Sequence, residues 1–306
     1  MSDISEIRAR INSVAETKKV TDAMYMISSV KMRRAMREVT NTEPYFSSLG
    51  EEIGRIFRII PDISNRYFKV PDPMTGGHIK HGVLLVTSDK GLAGEYNENV
   101  ISLCEDVLSR HSETVLFVIG ELGRQHFSSK GVPTVPEFRY SAELPNVWKA
   151  RRICSDLLEY FDTGRADEIS IIYTDYLSGR PGEAKRSILL PLKRSLFASV
   201  TEDDSIETER DRNVFFPNPD TVLSGIIPSY ITGYIYSILV DSYCSEQQAR
   251  MTAMNSASSN AENILNELRL KYNRIRQAEI TREISEVTSG ARALKKKKET
   301  RDGKQN

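Results

Sequence analysis

The segment of this sequence best suited to phosphate chemistry is a glycine-rich loop at residues 87–94, which reads TSDKGLAG. An apolar run at residues 82–87 predicts a buried strand before it, and glycine lets backbone amides approach a phosphate closely. The loop contains neither GxGxxG nor the GxxxxGK[ST] motif of phosphate-binding loops. We therefore favour a structural turn over a phosphate site.

Side chains that could hold a metal or act as nucleophiles are scattered. The histidines and cysteines show no metal-ligand spacing, no CxxC motif occurs, and no serine stands in a nucleophile elbow. The sequence predicts no catalytic constellation, no cofactor and no metal site, with the cysteines as packed thiols in a reducing compartment. The histidines are His78, His81, His111 and His126, and the cysteines are Cys104, Cys154 and Cys244.

Composition excludes several classes of protein. The 306 residues are 39% hydrophobic, which predicts a folded chain, and Lys+Arg and Asp+Glu both total 42. This balance gives no reason to expect nucleic acid as a partner. Apolar runs of four to six residues are too short to cross a bilayer, and the acidic N-terminus does not resemble a secretion signal.

A local excess of positive charge lies between Lys18 and Arg37, a segment that contains six basic residues and only one acidic residue, Asp22. One interpretation is a solvated helix face, and the other is a basic collar that binds an acidic surface. Because Tyr25 is the only aromatic residue in the collar, an acidic protein fits better than nucleic acid.

Both ends of the chain predict long helices. Ile4, Ile7, Ile11 and Val14 follow coiled-coil spacing in residues 1–75, where Pro44 predicts a break or restart. Residues 220–294 carry a second heptad seam, which changes register after position 275. Each helix must bury its apolar stripe, so we expect antiparallel pairing. Residues 295–306 predict a frayed, basic, disordered tail.

Residues 76–219 predict an α/β domain between the two helices. Apolar runs at 82–87, 114–119 and 169–174 indicate strands, and helical stretches at 97–110, 121–130 and 143–161 separate them. This alternation predicts a Rossmann-like, mostly parallel sheet. Residues 187–192 favour an edge strand, and the acidic residues 202–209 favour a loop.

Three stretches together resemble the gamma subunit of F-type rotary ATP synthases. They are residues 7–34, 87–97 and 245–284, with cores TKKVTDAMYM, TSDKGLAGEYN and SEQQARMTAM. Their order and spacing agree with that family over essentially the whole chain.

The resemblance implies a rotor. The paired helices would enter a ring of three alpha and three beta subunits, and the α/β domain would contact epsilon and the membrane c-ring. One copy would couple ion flow to ATP synthesis or hydrolysis in a proton-translocating complex at the cytoplasmic face of a bacterial membrane. The chain itself would bind no nucleotide and catalyse no reaction.

The resemblance also implies partner contacts, residue by residue. For the beta sleeve and its acidic loop they are Met24, Lys31, Arg33, Arg34, Arg276, Gln277 and Thr281. For a foot on epsilon and the rotor ring they are Gly91, Gly94, Glu95, Phe215 and Phe216. Ala93 and Glu95 depart from the family's usual cysteine and glycine, and the paired regulatory cysteines of the chloroplast form are absent, which predicts no thiol switch.

Two other functions fit the same predicted elements. One is a coiled-coil adaptor that carries an α/β module, and the other is a Rossmann-like enzyme with helical arms. Assembly with alpha and beta subunits would distinguish the first, and nucleotide binding by the isolated chain would indicate the second.

Overall fold

The computed structural model describes residues 2–60, 63–69, 79–111, 113–177, 180–197, 215–216 and 218–302. The chain forms two compact units, one made of residues 26–253 and the other of residues 1–25 with 254–306. The principal elements are α1 (Ser2–Ile59), β1 (His81–Val86), α2 (Tyr96–Arg110), β2 (Thr114–Ile119), α3 (Glu121–Ser129), α4 (Val147–Asp162), β3 (Glu168–Asp175), β4 (Glu183–Leu190) and α5 (Pro219–Asp302).

A four-stranded sheet lies at the centre of the larger unit, in the order β2-β1-β3-β4. Strands β1, β2 and β3 are parallel, and β4 pairs antiparallel with β3 at the edge. Five of the six residues of β1 are buried, because helices cover both faces of a central parallel strand. The predicted mostly parallel α/β fold is confirmed.

The two faces of the sheet bury different sets of side chains, since successive residues of a strand point to opposite sides. Leu84, Phe117 and Ile171 join the larger core, to which α4 and the two long helices contribute. Leu85 and Val118 join the smaller core with residues of α2 and α3. The long helices therefore form part of the core of the α/β domain.

Helix α1 runs without interruption through Pro44, so the predicted break is wrong. Proline has no amide hydrogen and removes one helical hydrogen bond, a local cost that packing offsets here. Phe46 lies so close to Gly233 of α5 that a methyl group on this glycine would overlap its ring. Ile53 and Ile56, further along α1, are fully buried.

Several predicted boundaries move. Helix α4 begins at Val147 rather than 143, because the Asn146 side chain caps it by accepting from the Lys149 amide at 2.9 Å. The edge strand lies at β4, and Pro191 follows its last residue. Helix α5 continues to Asp302, where the sequence predicted a tail from 295, since no glycine or proline interrupts residues 291–302. The acidic residues 202–209 lie outside the described residues.

The smaller unit is an antiparallel helix pair, as the seams predicted. Ser258 donates a hydrogen bond to the Asp22 carboxylate, and Lys18 lies 3.8 Å from Glu262. The Ser258 bond, together with Lys18, lowers the pKa of Asp22. Ser258 is a polar residue on the seam of α5, and this bond gives its hydroxyl a partner. The buried members of the seam are Ile7, Thr21, Met254, Ser258, Ala261 and Leu265.

Helix α5 contains one 18-residue window that is apolar enough, by length and composition, to cross a membrane. Half of this window is buried inside the protein. Leu223, Ile227, Ile231 and Ile235, in the part of α5 that lies on the domain, are all buried in the main core. Packing against the domain therefore accounts for the hydropathy of this part of α5.

Candidate functional site

The carboxyl ends of β1 and β3 form the point of the sheet where α/β folds commonly bind ligands. The chain leaves β1 towards β2 on one side and leaves β3 towards β4 on the other, which opens a crevice between them. Here α5 occupies that position. The Ser242 hydroxyl accepts from the Thr174 amide at 3.4 Å, and the Ser245 hydroxyl donates to the Asp175 carbonyl at 3.3 Å.

The glycine-rich loop after β1 is held by the protein's own groups. Asp89 accepts from the Glu121 amide at 3.0 Å, and from the amides of Ala142 and Glu143 at 2.9 and 3.2 Å. Glu121 is the first residue of α3, and a helix N-terminus is where a bound phosphate would be expected. The Asp89 carboxylate takes the place of that anion, which gives the loop a structural role.

Arg250 of α5 also binds this loop. Its guanidinium donates to the carbonyls of Lys90 and Gly91 at 3.1 and 3.0 Å, and it pairs with Glu246 at 2.7 Å. The two side chains are only 9% and 5% exposed, and burial raises the pKa of Glu246. Two of the stretches that carry the family resemblance, 87–97 and 245–284, are thus in direct contact.

The three collar residues chosen from the sequence differ in their surroundings. The Lys31 ammonium lies 4.0 Å from Glu143, whose carboxylate also accepts from Lys90 at 2.8 Å. The Lys90 bond holds the pKa of Glu143 below its usual range. Arg33 is exposed beside the Ser29 carbonyl, and Arg34 is exposed and bonded to Glu38 one turn along the helix. Lys31 is therefore partly engaged within the chain, whereas Arg33 and Arg34 face solvent.

Sequence reasoning missed an apolar component of this surface. Met26, Ile27 and Val30 are 69%, 55% and 60% exposed, immediately before the exposed arginines. The sequence suggested that Val20, Met24 and Ile27 continue the apolar stripe of α1, but Val20 and Ile27 are more than half exposed, so that part of the prediction is wrong. We call Met26, Ile27, Val30, Arg33 and Arg34 the α1 outer face.

The predicted sleeve residues lie near the end of the helix pair. Arg276, Gln277 and Thr281 are exposed, and the Thr281 hydroxyl bonds its own helix at the Gln277 carbonyl. Asp22 pairs with Ser258, and Lys18 pairs with Glu262. Because both helices rise about 1.5 Å per residue in opposite directions, the start of α1 lies opposite about residue 278 of α5. Ile284 and Val287, further along α5, are 61% and 73% exposed. Met24 is half-buried in the same unit.

The predicted foot does not form one surface. Gly91, Gly94 and Glu95 are exposed beside Arg250, whereas Phe215 contacts Arg55 and lies just before the start of α5. These two places are about 45 Å apart along α5, at 1.5 Å per residue. Phe215 is also only 9% exposed and belongs to the core, so Phe216, at 90%, is the phenylalanine available to a partner.

The scattered histidines and cysteines stay scattered in the fold. No group of three potential metal ligands occurs among the residues that the structure describes. The rings of His81 and His111 lie 3.9 Å apart, and His126 bonds Glu105 at 2.6 Å; His78 lies outside the described residues. All three cysteines are free and buried, which confirms the prediction of packed thiols, and burial raises the pKa of each.

Comparison with known sequences gives a consistent result over the whole chain. A family profile described as ATP synthase matches residues 3–294. The ATP synthase gamma chain of Acetivibrio thermocellus is 36% identical, over 96% of this chain and 100% of its own length. A sodium-ion-specific ATP synthase gamma chain from Acetobacterium woodii is 34% identical, over 95% of this chain and 99% of its own length.

Solved structures agree on the fold. A chain in the Euglena gracilis mitochondrial ATP synthase, solved with OSCP, F1 and the c-ring, matches with a TM-score of 0.64 at 14% identity. The match covers 96% of this chain and 95% of that one. A chain from the central stalk and c-ring of Tetrahymena thermophila matches with a TM-score of 0.54 at 21% identity, over 78% of this chain and 99% of that one.

Proposed function

The chain belongs to the ATP synthase gamma-chain family, and from this premise we propose that it is the central rotor of an F-type ATP synthase. One copy turns inside a ring of alpha and beta subunits and couples ion flow through the membrane c-ring to ATP synthesis or hydrolysis. It works at the cytoplasmic face of a bacterial membrane and performs no bond chemistry itself. Epsilon binds its base.

The observation that carries this proposal is the α1 outer face. Three exposed apolar side chains and two exposed arginines lie together on a helix whose other side is buried in the protein. Contact with an acidic loop that carries aliphatic residues would bury the apolar groups and pair the guanidinium groups. A beta subunit that presents such a loop fits this chemistry, with Lys31 completing the contact.

The exposed end of α5 supports a turning contact rather than a fixed one. Arg276, Gln277 and Thr281 offer side-chain hydrogen bonds to the beta sleeve, and Ile284 and Val287 offer apolar contact without direction. Apolar contact depends on area more than on angle, so a sleeve of aliphatic residues can hold such a helix while it turns. Met24 contributes to the contact on the α1 side of the helix pair.

Two separate contacts replace the single predicted foot. Phe216 is available for the rotor ring, beside the start of α5. Gly91, Gly94 and Glu95 are available, about 45 Å away along α5, for a subunit at the other end of the domain. The distance requires different partners, or different parts of one partner, at the two places.

Reconstitution tests the proposal. Co-expressed alpha and beta subunits should assemble with this chain into a coupled ATPase, and replacing Lys31, Arg33 and Arg34 together with Ala should reduce coupling more than assembly. A matched control removes three exposed basic residues of the domain surface, Arg110, Arg139 and Arg151, and should leave coupling unchanged. Complete loss of assembly in the first triple variant would reject the assignment of this contact.

Two other functions remain outcomes of the same work. A coiled-coil adaptor would fail to assemble with alpha and beta subunits. A Rossmann-like enzyme would bind nucleotide as the isolated chain, with micromolar affinity by calorimetry. The occupied crevice at β1 and β3 favours neither ligand binding nor catalysis there.

A further inference from the structure

We propose that Glu246 and Arg250 form a torsional clamp, which fixes the angle of α5 on the α/β domain so that the two turn as one body. The inference rests on the rotor function proposed above. It assigns to these two residues a positioning role in coupling, through the Lys90–Gly91 segment that they hold.

The geometry of Arg250 is directional. One arm of the guanidinium binds Glu246 on its own helix at 2.7 Å, and another arm binds the carbonyls of Lys90 and Gly91 at 3.1 and 3.0 Å. The five N–H groups of a guanidinium lie in one plane at fixed angles. Rotation of α5 about its axis would therefore break the bonds to the loop before it changed the buried apolar area by much.

The choice of a buried ion pair is not explained by stability. Upstream, α5 is held on the domain by apolar side chains such as Ile227, Ile231 and Ile235. Replacing a buried ion pair with well-packed apolar residues is often neutral or stabilising. An apolar pair would hold α5 equally well but would resist twisting less, because apolar contact has no preferred angle.

The clamped loop also reaches α1. Lys90 donates to Glu143 at 2.8 Å, and the same carboxylate oxygen lies 4.0 Å from the Lys31 ammonium. Two further bonds tie α5 to the segment after β3, from Ser245 to the Asp175 carbonyl and from Gln248 to the Arg180 carbonyl at 2.8 Å. Polar contacts to the Lys90–Gly91 segment, to the end of β3 and to Arg180 thus fix the orientation of α5 over residues 242–250.

The test uses the assembled, membrane-bound ATP synthase and the double variant Glu246→Leu with Arg250→Met. The apolar pair fills the same space, so assembly and ATP hydrolysis should be retained. Proton pumping per ATP hydrolysed should fall about fivefold, the low end of the range for coupling between sites. A protein in which the pair serves only stability would keep its pumping ratio.

A second variant, Arg250→Lys, keeps the charge but cannot bind Glu246 and two carbonyls at once, and it should lose part of the pumping ratio. If the double variant fails to assemble, the pumping ratio of Arg250→Lys decides whether the clamp acts in coupling. Ile231→Val is the control, because it lowers stability in α5 without touching the clamp. Wild-type pumping ratios in both clamp variants, or an equal loss in the control, would overturn the clamp. Failure of the unaltered chain to assemble or couple would instead reject the rotor function.

Discussion

The two parts of α5 differ in how they use the same helix. From Pro219 to Ala253 the helix lies on the α/β domain, with apolar residues buried and polar residues bonded to defined partners. From Met254 onwards only one narrow seam is buried, and from Ile280 to Arg292 every residue is exposed. Sequence composition hides this contrast, since both parts are long, helical and rich in isoleucine or leucine.

The difference indicates which part is held and which part is free to contact partners. A helix buried on several sides has one orientation, because its packing and its hydrogen bonds agree. A helix with one seam, or with none, offers most of its surface to other proteins. We expect substitutions in the first part to change the stability of this chain, and substitutions in the second part to change binding.

The largest expected difference concerns two arginines. Arg250→Leu leaves Glu246 buried without its partner and should lower the free energy of unfolding by about 4 kcal/mol. Arg276→Leu, in the exposed part, should change it by less than about 0.5 kcal/mol. Chemical unfolding of both variants measures the difference. Equal effects would contradict the division of α5 into two parts.

A similar pair of isoleucines tests burial alone. Ile235 is fully buried, so Ile235→Ala should cost about 3 kcal/mol through lost transfer energy and a residual cavity. Ile284→Ala, at an exposed position, should leave the unfolding midpoint nearly unchanged while weakening association with the alpha/beta ring. Loss of stability in the Ile284 variant would mean that this end of α5 packs on something within the chain.

Two glycines of α5 give opposite expectations. Gly233→Ala should destabilise by about 2 kcal/mol, since the new methyl group overlaps the Phe46 ring. Gly290 has no atom within 4 Å of the corresponding position, so Gly290→Ala should raise stability by up to about 1 kcal/mol through helix propensity. Thermal melts of the two single variants should move in opposite directions.

The smallest effect depends on pH. Burial, and secondarily Asp175, raises the pKa of Asp241 to about 6. When the pKa of a carboxyl is higher in the folded than in the unfolded chain, its contribution to folding stability is fully present only below the unfolded-state pKa. For Asp241 this contribution is lost as pH rises from about 4 through 6. The full shift would correspond to about 3 kcal/mol, and the partial exposure of Asp241 reduces it by screening. Asp241→Asn should therefore raise the unfolding free energy by about 1 to 2 kcal/mol at pH 8 and by almost nothing at pH 4. Glu286→Gln, at an exposed position, is the control and should show no such dependence.

Much of the fold follows from local patterns in the sequence. The strands at β1, β2 and β3 were predicted within one residue, because apolar runs of about six residues between turn signals are shorter than most helices and typical of buried strands. The seam from Met254 to Leu265 was visible for the same reason, since its spacing must repeat with the helix. The basic residues of the collar were also visible, because charge is a property of residue type.

The candidate site depended more on distant contacts. Lys31 was predicted to contact the acidic loop of a partner, and it also lies near Glu143, more than a hundred positions later in the chain. Phe215 was predicted to contact a partner but is buried beside Arg55. Neither partner leaves a trace near the residue itself, so no local pattern could have identified it.

The sequence by itself determined which segments form helices and strands, where the apolar seams run and which family the chain resembles, because each depends on residue type and short spacing. Only the tertiary structure decided that α1 continues through Pro44, that α5 occupies the crevice between β1 and β3, and that Arg250 holds the loop after β1. Those outcomes depend on which distant surfaces meet, and a buried contact can outweigh a local preference of a few kcal/mol.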